Sequence, residues 1–232
     1  MIDALGHSLT KYDQSPIIWG IGHINLLMAR ISKEMQELVR QRLVDTAARQ
    51  FGESGFDVAR IDAISRDAGL GKGTVYNYFA SKQELFGAVI QEGARRAVER
   101  FRAADPGGSV RDRLLAVAEA DVSLVREDEA FIKVLVREAM SFRPETYPIV
   151  TRHLLPYISA VAEILRDGVD RGLVRSDKPV DQLALMFVGT LSMLYVQHWG
   201  SNGAWPTLEE IPDLAVTAYL DGAGARTREK HS

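Results

Sequence analysis

The stretch from residue 61 to residue 79 constrains the fold more than any other part of this chain. Ile61, Ile64 and Ala68 recur at the spacing of one face of a short helix. Gly69 follows them, and glycine readily adopts the positive φ that ends a helix and turns the chain sharply. We therefore predict a short helix that ends in a tight turn at this glycine.

A second short helix is predicted to begin after this turn. Val75 and Phe79 lie four residues apart on its inner side. Its outer side carries small or hydrogen-bonding residues, namely Lys72, Gly73, Thr74, Tyr76 and Asn77. Two short helices around a glycine turn, the second with a compact polar face, describe a helix-turn-helix whose second helix enters the major groove of DNA.

Two other interpretations of this stretch compete with DNA binding. The run from Gly69 to Thr74 superficially resembles a phosphate-binding glycine loop. In such a loop Ser or Thr follows the lysine and a strand precedes the glycines, whereas here a glycine follows Lys72 and a helical pattern precedes the run. A surface helical hairpin that binds nothing would leave Tyr76 and Tyr78, two aromatic residues on so short a helix, without a role.

The flanking residues strengthen the DNA-binding interpretation, because the sequence from about residue 35 to about residue 96 resembles the DNA-binding domain of the TetR family of transcriptional regulators. The residues that carry the resemblance keep the spacing of the family, and they are Phe51-Gly52, Gly55-Phe56, Ile61, Ile64, Ala68-Gly69, the run from Lys72 to Phe79, and Ser81-Lys82-Gln83-Glu84-Leu85. The family usually has Thr where Ala59 and Arg60 stand, and Ser or Thr at Gly71. A hydroxyl that caps a helix and touches phosphate is therefore missing, although Arg60 can supply the phosphate contact and glycine is an acceptable N-cap.

The resemblance implies a DNA-binding transcriptional regulator, and we expect a repressor. On the second helix of the motif, Lys72, Gly73, Thr74 and Asn77 are predicted to face base edges. Phosphate contacts that set position rather than sequence are predicted for Arg60, Tyr76, Tyr78 and Lys82. A single short recognition helix contacts too few bases for useful specificity, so we predict a homodimer on a palindromic operator in double-stranded DNA.

An all-α fold is predicted for the whole chain, since no strand pattern occurs. We divide it into four segments: an N-terminal extension (1–32), the helix-turn-helix domain (33–96), an effector-binding and dimerisation domain (97–221) and a disordered tail (222–232). We favour a weakly ordered extension. Three alternatives remain open: the true start is Met28 or Met35, the segment folds back on the body, or it is an arm that brings Lys11 and Arg30 to DNA.

Local signals predict the helices that follow the motif. Ser81 to Glu84 form a capping box, so a helix begins there and continues to about Phe101 as a lever between the domains. Farther along, Asp177 is predicted to cap a helix over roughly 179–199 that is apolar on several sides. This helix and a last one, at about 208–220, are the predicted subunit interface.

The C-terminal domain also holds a cluster of large, adaptable side chains. Aromatic residues with polar tips and flexible methionines suit an apolar pocket with a few hydrogen-bonding groups, although each of them alone is more often a core residue. The residues predicted to line an effector pocket are Phe131, Met140, Tyr147, Tyr157, Phe187 and Tyr195. We expect a small apolar or aromatic effector that releases the operator.

Composition excludes several other functions. There is no cysteine, and the five histidines are scattered without ligand spacing, so we expect no metal and no cofactor. Asp121 and Glu138 lie among apolar residues as surface groups or buried pairs, with no nucleophile and base nearby, so we expect no enzyme. The apolar runs are predicted to be too short to span a bilayer, which favours a cytoplasmic protein without a membrane partner.

Charge argues only weakly against DNA binding. The net charge is −3, and residues 33–85 carry eight basic and eight acidic residues. Binding must then depend on where the charges lie rather than on their sum. The alternative function is a helical ligand-binding or protein-interaction module without functional DNA binding.

Overall fold

A computed structural model gives the backbone of residues 15–222 and the side chains of residues 32–222. Within this part of the chain every regular element is an α-helix, which confirms the predicted all-α class. The helices are α1 (Ser15–Val58), α2 (Ile61–Asp67), α3 (Lys72–Tyr78), α4 (Lys82–Ala104), α5 (Val110–Ser141), α6 (Tyr147–Asp170), α7 (Val180–Gly200) and α8 (Ile211–Leu220).

The chain divides into two compact units, one of residues 1–42 and one of residues 43–232. In the first unit the described backbone, from Ser15 onward, is helical and belongs to α1. Lys11, one residue of the predicted arm, lies outside the described residues, as does the predicted tail beyond Gly222. The domain boundaries at residues 32, 96 and 221 stay predictions.

The part of α1 in the second unit supplies one wall of the predicted helix-turn-helix domain. Leu43, Ala47 and Phe51, spaced four residues apart, are fully buried. Gly55, with φ of 81°, interrupts the helix, a backbone conformation that glycine adopts at little cost. Phe56 then returns to the core, where its ring packs 5.1 Å from the ring of Phe86 on α4.

The lever helix α4 begins with the predicted cap. The Ser81 hydroxyl accepts a hydrogen bond from the Glu84 N–H at 3.1 Å, and the Glu84 carboxylate accepts one from the Ala80 N–H at 2.6 Å. In a capping box the donor of this second bond is usually the backbone N–H of the N-cap residue. Here the donor is the N–H of Ala80, the residue before the N-cap. α4 then packs against α5 and α6, so the helix that leaves the predicted DNA-binding motif is also a core helix of the body.

The helices predicted after α4 occur in the expected order, with one difference at the start of α7. Before them, α5 is one element with a kink at Asp128 (φ −152°, ψ 72°). The prediction that Asp177 caps the next helix is wrong. Pro179 is the N-cap of α7, and the Asp177 carboxylate pairs with the guanidinium of Arg175 at 2.5 Å instead.

α7 is apolar on both sides and is buried on only one of them. Leu183, Phe187 and Leu191 face the core, whereas Leu185 and Met193 are exposed. Contrary to the expectation from the sequence, α7 is long and apolar enough to cross a membrane by length and composition alone. Core helices of globular proteins pass the same test, and α7 packs against α5, α6 and α8.

A buried carboxylate joins the end of α1 to the body. Glu138 on α5 is only 1% exposed, and it accepts hydrogen bonds from the Phe56 backbone N–H and from the Thr146 hydroxyl, both at 3.0 Å. Beside it, the Arg137 guanidinium donates to the carbonyl oxygen of Glu53 at 3.0 Å. Side chains of α5 therefore hold the backbone on both sides of Gly55.

We predict that Glu138→Ala destabilises the protein by about 2 kcal/mol or more, because it leaves a buried N–H and a buried hydroxyl without their acceptor. Glu138→Gln keeps one amide oxygen as an acceptor and should cost clearly less. Urea denaturation followed by circular dichroism measures both variants. Equal stabilities of the Ala and Gln variants would show that the hydrogen bonds to Phe56 and Thr146 contribute little.

Candidate nucleic-acid interface and effector cavity

The turn between α2 and α3 is closed by backbone hydrogen bonds. Gly69 has φ of 69°, as the sequence predicted, and its N–H donates to the Arg66 carbonyl at 2.9 Å. The Leu70 N–H donates to the Ser65 carbonyl at 2.8 Å. These bonds satisfy carbonyl groups at the end of α2 and set the direction in which α3 begins.

α3 has one buried side and one solvent-facing side. Val75 is 1% exposed and Phe79, its C-cap, is also buried. The residues of the other side are exposed or half-buried, and they are Lys72, Gly73, Thr74, Tyr76, Asn77 and Tyr78. Apart from its two chain neighbours and the backbone of α3, no described atom lies within 4 Å of where a Cβ at Gly73 would stand, so this point of the helix is open to the approach of a large partner.

The predicted phosphate-binding residues lie in different environments. Arg60 stands at the N-cap of α2, and its side chain is 78% exposed. The Lys82 ammonium instead donates to the Asp57 carbonyl oxygen at 3.1 Å and lies 4.6 Å above the ring of Phe56. Burial lowers the pKa of Lys82, while the nearby Glu138 opposes this shift. Lys82 therefore also stabilises the turn before α2.

An ion pair across the motif was not apparent in the sequence. The Lys72 ammonium, at the first residue of α3, lies 2.8 Å from the Asp62 carboxylate of α2. Their hydrogen bond raises the pKa of Lys72 and lowers the pKa of Asp62. Ten positions separate the two residues, so only the turn at Gly69 brings them together. One cation of the predicted DNA-reading face is thus partly neutralised within the motif.

A small cavity lies inside the body, with a volume of about 50 Å³. Four helices form its wall: Ala94 and Ala97 of α4, Asp121, Ile132, Leu135, Val136 and Ala139 of α5, Leu154 and Tyr157 of α6, and Val188, Leu191, Ser192 and Tyr195 of α7. The wall is apolar except for the Asp121 carboxylate and the hydroxyl groups of Tyr157, Ser192 and Tyr195. The lever helix thus contributes part of the cavity wall.

The polar groups of the cavity are only partly paired. Asp121 is 6% exposed, and its carboxylate accepts a hydrogen bond from the Tyr157 hydroxyl at 2.6 Å. Burial raises the pKa of Asp121 to about 7, against the opposite effect of this hydrogen bond. Among the described residues, the buried hydroxyl of Tyr195 has no hydrogen-bond partner. Sequence reasoning treated Asp121 as a structural residue, and its place on the cavity became visible only in the fold.

The structure brings together only part of the predicted effector pocket. Of the six residues, Tyr157 and Tyr195 line the cavity. Phe131 is buried beneath the guanidinium of Arg96, which lies 4.3 Å from its ring centre, and Phe187 packs against Tyr219. The other two, Met140 and Tyr147, are exposed. The apolar periodicity of a helix places such residues on a face, but it does not say which neighbour that face meets.

An open groove of about 740 Å³ runs along the outer side of α7 and α8. Its walls are mainly apolar, and they include Leu173, Leu183, Met186, Met193, Leu194, Tyr219 and Leu220. Met186 and Met193 are exposed. This surface coincides with the two helices that the sequence predicted as the subunit interface.

Residues 43–89 match a known protein family, described as bacterial regulatory proteins, tetR family. The HTH-type transcriptional regulator UidR of Escherichia coli K12 is 29% identical over 154 residues, which cover 65% of this chain and 76% of UidR. The HTH-type transcriptional repressor AcnR of Corynebacterium diphtheriae is 26% identical over 187 residues, which cover 81% of this chain and 94% of AcnR.

Solved structures show the same fold. The fatty acid degradation regulator FadR of Bacillus halodurans superposes with a TM-score of 0.72 at 20% identity, covering 81% of this chain and 97% of FadR. The transcriptional regulator FadR of Bacillus subtilis, in complex with stearoyl-CoA, superposes with a TM-score of 0.70 at 21% identity, covering 79% of this chain and 99% of that protein.

We predict that Asp62→Asn tightens binding to DNA of any sequence and makes it more sensitive to salt. The substitution removes the negative charge that lies 3.9 Å from the Arg60 guanidinium and 2.8 Å from the Lys72 ammonium. Arg60, the predicted phosphate contact, is then no longer partly neutralised, so the slope of log Kd against log salt should steepen by about one unit. Fluorescence anisotropy with a labelled duplex at several salt concentrations measures this slope. Asp67→Asn, at the end of the same helix, is the matched control. An unchanged slope in Asp62→Asn would show that the charge of Asp62 does not oppose contacts with the DNA backbone.

Proposed function

We propose that this chain, a member of the TetR family of transcriptional regulators, represses transcription by binding a two-fold symmetric operator as a homodimer and leaves the operator when a small molecule binds its body. The observation that carries the proposal is α3 itself. Its apolar residues are buried and its short polar side chains face solvent, as insertion into a major groove requires. The DNA of a bacterial cell lies in the cytoplasm, where such a protein would act.

On the DNA, two sets of side chains have separate roles in this proposal. Base edges are read by Lys72, Gly73, Thr74 and Asn77, with the Thr74 methyl suited to thymine and the Asn77 amide to adenine. Phosphates are held by Arg60, Tyr76, Tyr78 and Lys82. The exposure of Arg60 and of the outer side of α3 supports both roles. Lys82 is already bound to Asp57, so in this proposal it positions the motif as well as contacting phosphate.

Dimerisation is proposed to occur through α7 and α8. Exposed large apolar side chains line one side of α7, and the groove beside them continues onto α8. Burial of such a surface against a second copy removes apolar area from water. Two recognition helices would then lie about 34 Å apart, one turn of the DNA helix.

Release of the operator is proposed to depend on α4. This helix begins at the DNA-binding motif with the Ser81 cap, and it lines the cavity with Ala94 and Ala97. A molecule that binds there can move α4 only by its differential affinity for the two states, with couplings of about 1–3 kcal/mol in allosteric proteins. Operator DNA must then weaken effector binding by the same factor. The stearoyl-CoA complex of FadR from Bacillus subtilis supports effector binding in a protein of this fold.

We predict different effects for two substitutions in the DNA-binding motif. The operator is first identified by selection from a random duplex library with the purified protein. Asn77→Ala should change the preferred base at particular positions, because the amide reads a base edge. Arg60→Ala should weaken binding to all DNA sequences about equally, because a phosphate contact carries no sequence information.

Sequencing of the selected libraries and anisotropy titrations measure these two effects. Arg102→Ala, an exposed arginine at the far end of α4, is the control for loss of charge. The assignment of roles would be wrong if Asn77→Ala and Arg60→Ala gave the same library profile. Failure of the wild-type protein to enrich any sequence would overturn the proposal of operator binding.

We predict that Met193→Glu converts the protein from a dimer to a monomer and weakens operator binding, since it places a charge in the apolar groove of α7. Leu155→Glu, the same kind of change at an exposed site on α6, should leave the dimer intact. Sedimentation equilibrium gives the mass of each variant. A dimer that survives Met193→Glu and dissociates in Leu155→Glu would place the interface on another face.

A further inference from the structure

We infer that the cavity between α4, α5, α6 and α7 binds the ammonium group of a small amine with an apolar body, and that Asp121 is its counter-ion. This inference rests on the proposed function, because it names the chemical class of the effector. Three observations support it, namely a buried acid without a cation, a buried hydroxyl without a partner, and an otherwise apolar wall.

Asp121 has no basic partner among the residues that the structure describes. The titratable groups that face it are the Tyr157 hydroxyl from α6 and the Tyr195 hydroxyl from α7. From α4 only Ala94 and Ala97 reach the cavity, and none of the residues of its wall is Lys, Arg or His. Ionisation of a buried carboxylate without a counter-charge is unfavourable. A cationic ligand supplies that counter-charge, so it should bind more tightly than a neutral ligand of the same shape.

The hydroxyl of Tyr195 is the second feature that a ligand would satisfy. Its side chain lines the cavity, is 2% exposed, and has no hydrogen-bond partner for the hydroxyl. Buried polar groups in proteins are nearly always paired, so this oxygen marks a place for a hydrogen-bonding group that is not part of the described chain. An ammonium group has three donors, enough for both the carboxylate and this oxygen. The two tyrosine rings can also interact with a cation through their faces.

Other classes of ligand fit the cavity less well. A carboxylate or phosphate ligand would meet the charge of Asp121 without a cation in the wall to compensate it. A purely apolar ligand would leave the Tyr195 hydroxyl unpaired. An alcohol can pair with the hydroxyl and the acid but gains no charge–charge attraction, so it should bind more weakly than the matching amine.

The size of the cavity connects binding to release of DNA. A volume of about 50 Å³ holds no more than a few water molecules, so an amine with an apolar body must widen it. The wall contributed by α4 consists of two small alanines, and α4 leads directly to the DNA-binding motif. Binding of the ligand would therefore favour a state in which α4 is displaced.

Affinity for the amine should depend on pH in a defined direction. Burial raises the pKa of Asp121 to about 7, so the carboxyl group is largely protonated at pH 6 and largely ionised at pH 8. The ammonium group stays charged over this range, and it binds the ionised form. The affinity should therefore rise about tenfold from pH 6 to pH 8, with release of a proton from Asp121 on binding at the lower pH.

Three compounds of nearly the same shape test the inference: benzylamine, benzyl alcohol and benzoate. Isothermal titration calorimetry of the full-length protein at pH 6 and pH 8 gives their affinities. We expect benzylamine to bind at least about tenfold more tightly than benzyl alcohol at pH 8, and benzoate to bind weakest. In Asp121→Asn, which keeps the shape of the side chain, the preference for the amine and its pH dependence should disappear while benzyl alcohol still binds. Tyr195→Phe should weaken benzylamine binding and keep its pH dependence.

The outcomes separate this inference from the proposed function. Equal affinities for the amine and the alcohol, amine binding that survives Asp121→Asn unchanged, or no binding of any of the three would overturn the assignment of the cavity. Thermal melts of each variant confirm that it is folded. Anisotropy with the selected operator is measured separately. If benzylamine binds through Asp121 and the operator stays bound, the cavity assignment stands and the proposed release mechanism fails.

Discussion

The hydrogen bond from the Phe56 N–H to the buried carboxylate of Glu138 is the contact on which the arrangement of the DNA-binding motif depends. Gly55 interrupts α1, so the backbone donor that follows must find an acceptor elsewhere. That acceptor comes from α5 of the body, and Arg143 adds an ion pair to Asp57 in the same turn. The body therefore positions the motif through polar contacts at this joint, in addition to the apolar packing of α4.

A second set of charges lies beside α4, on the side of the body where α5 is kinked. The Arg96 guanidinium bonds Glu92 on its own helix at 2.7 Å, and Asp45 of α1 and Asp128 at the kink of α5, each at 2.9 Å. Its planar group also lies 4.3 Å from the ring centre of Phe131. Arg96 thus joins three helices. The several N–H donors of a guanidinium can bond to several carboxylates at once, which a single lysine ammonium does less well. A shift of α4 would disturb the contacts of Arg96 with Asp45, Asp128 and Phe131 together.

Charges at the surface and in the interior have different consequences here. The pair of Lys72 and Asp62 is exposed to water, so it is weak, and DNA can compete for the ammonium group at small cost. Asp121 is enclosed by apolar side chains, and its ionisation without a partner is unfavourable. The interior site can therefore discriminate strongly between a charged and a neutral ligand, whereas the surface pair can only modulate binding to DNA.

The sequence by itself determined the all-α class, the helix-turn-helix and most helix boundaries, since these depend on local signals such as Gly69 and the capping box that begins at Ser81. It failed at Asp177, where an ion pair with the nearby Arg175 replaced the predicted cap. Only the tertiary structure decided which aromatic residues meet at the cavity and that Asp121 lies among them. The period of a helix defines its apolar face, but the rotation and neighbours of that face follow from the packing of the whole body.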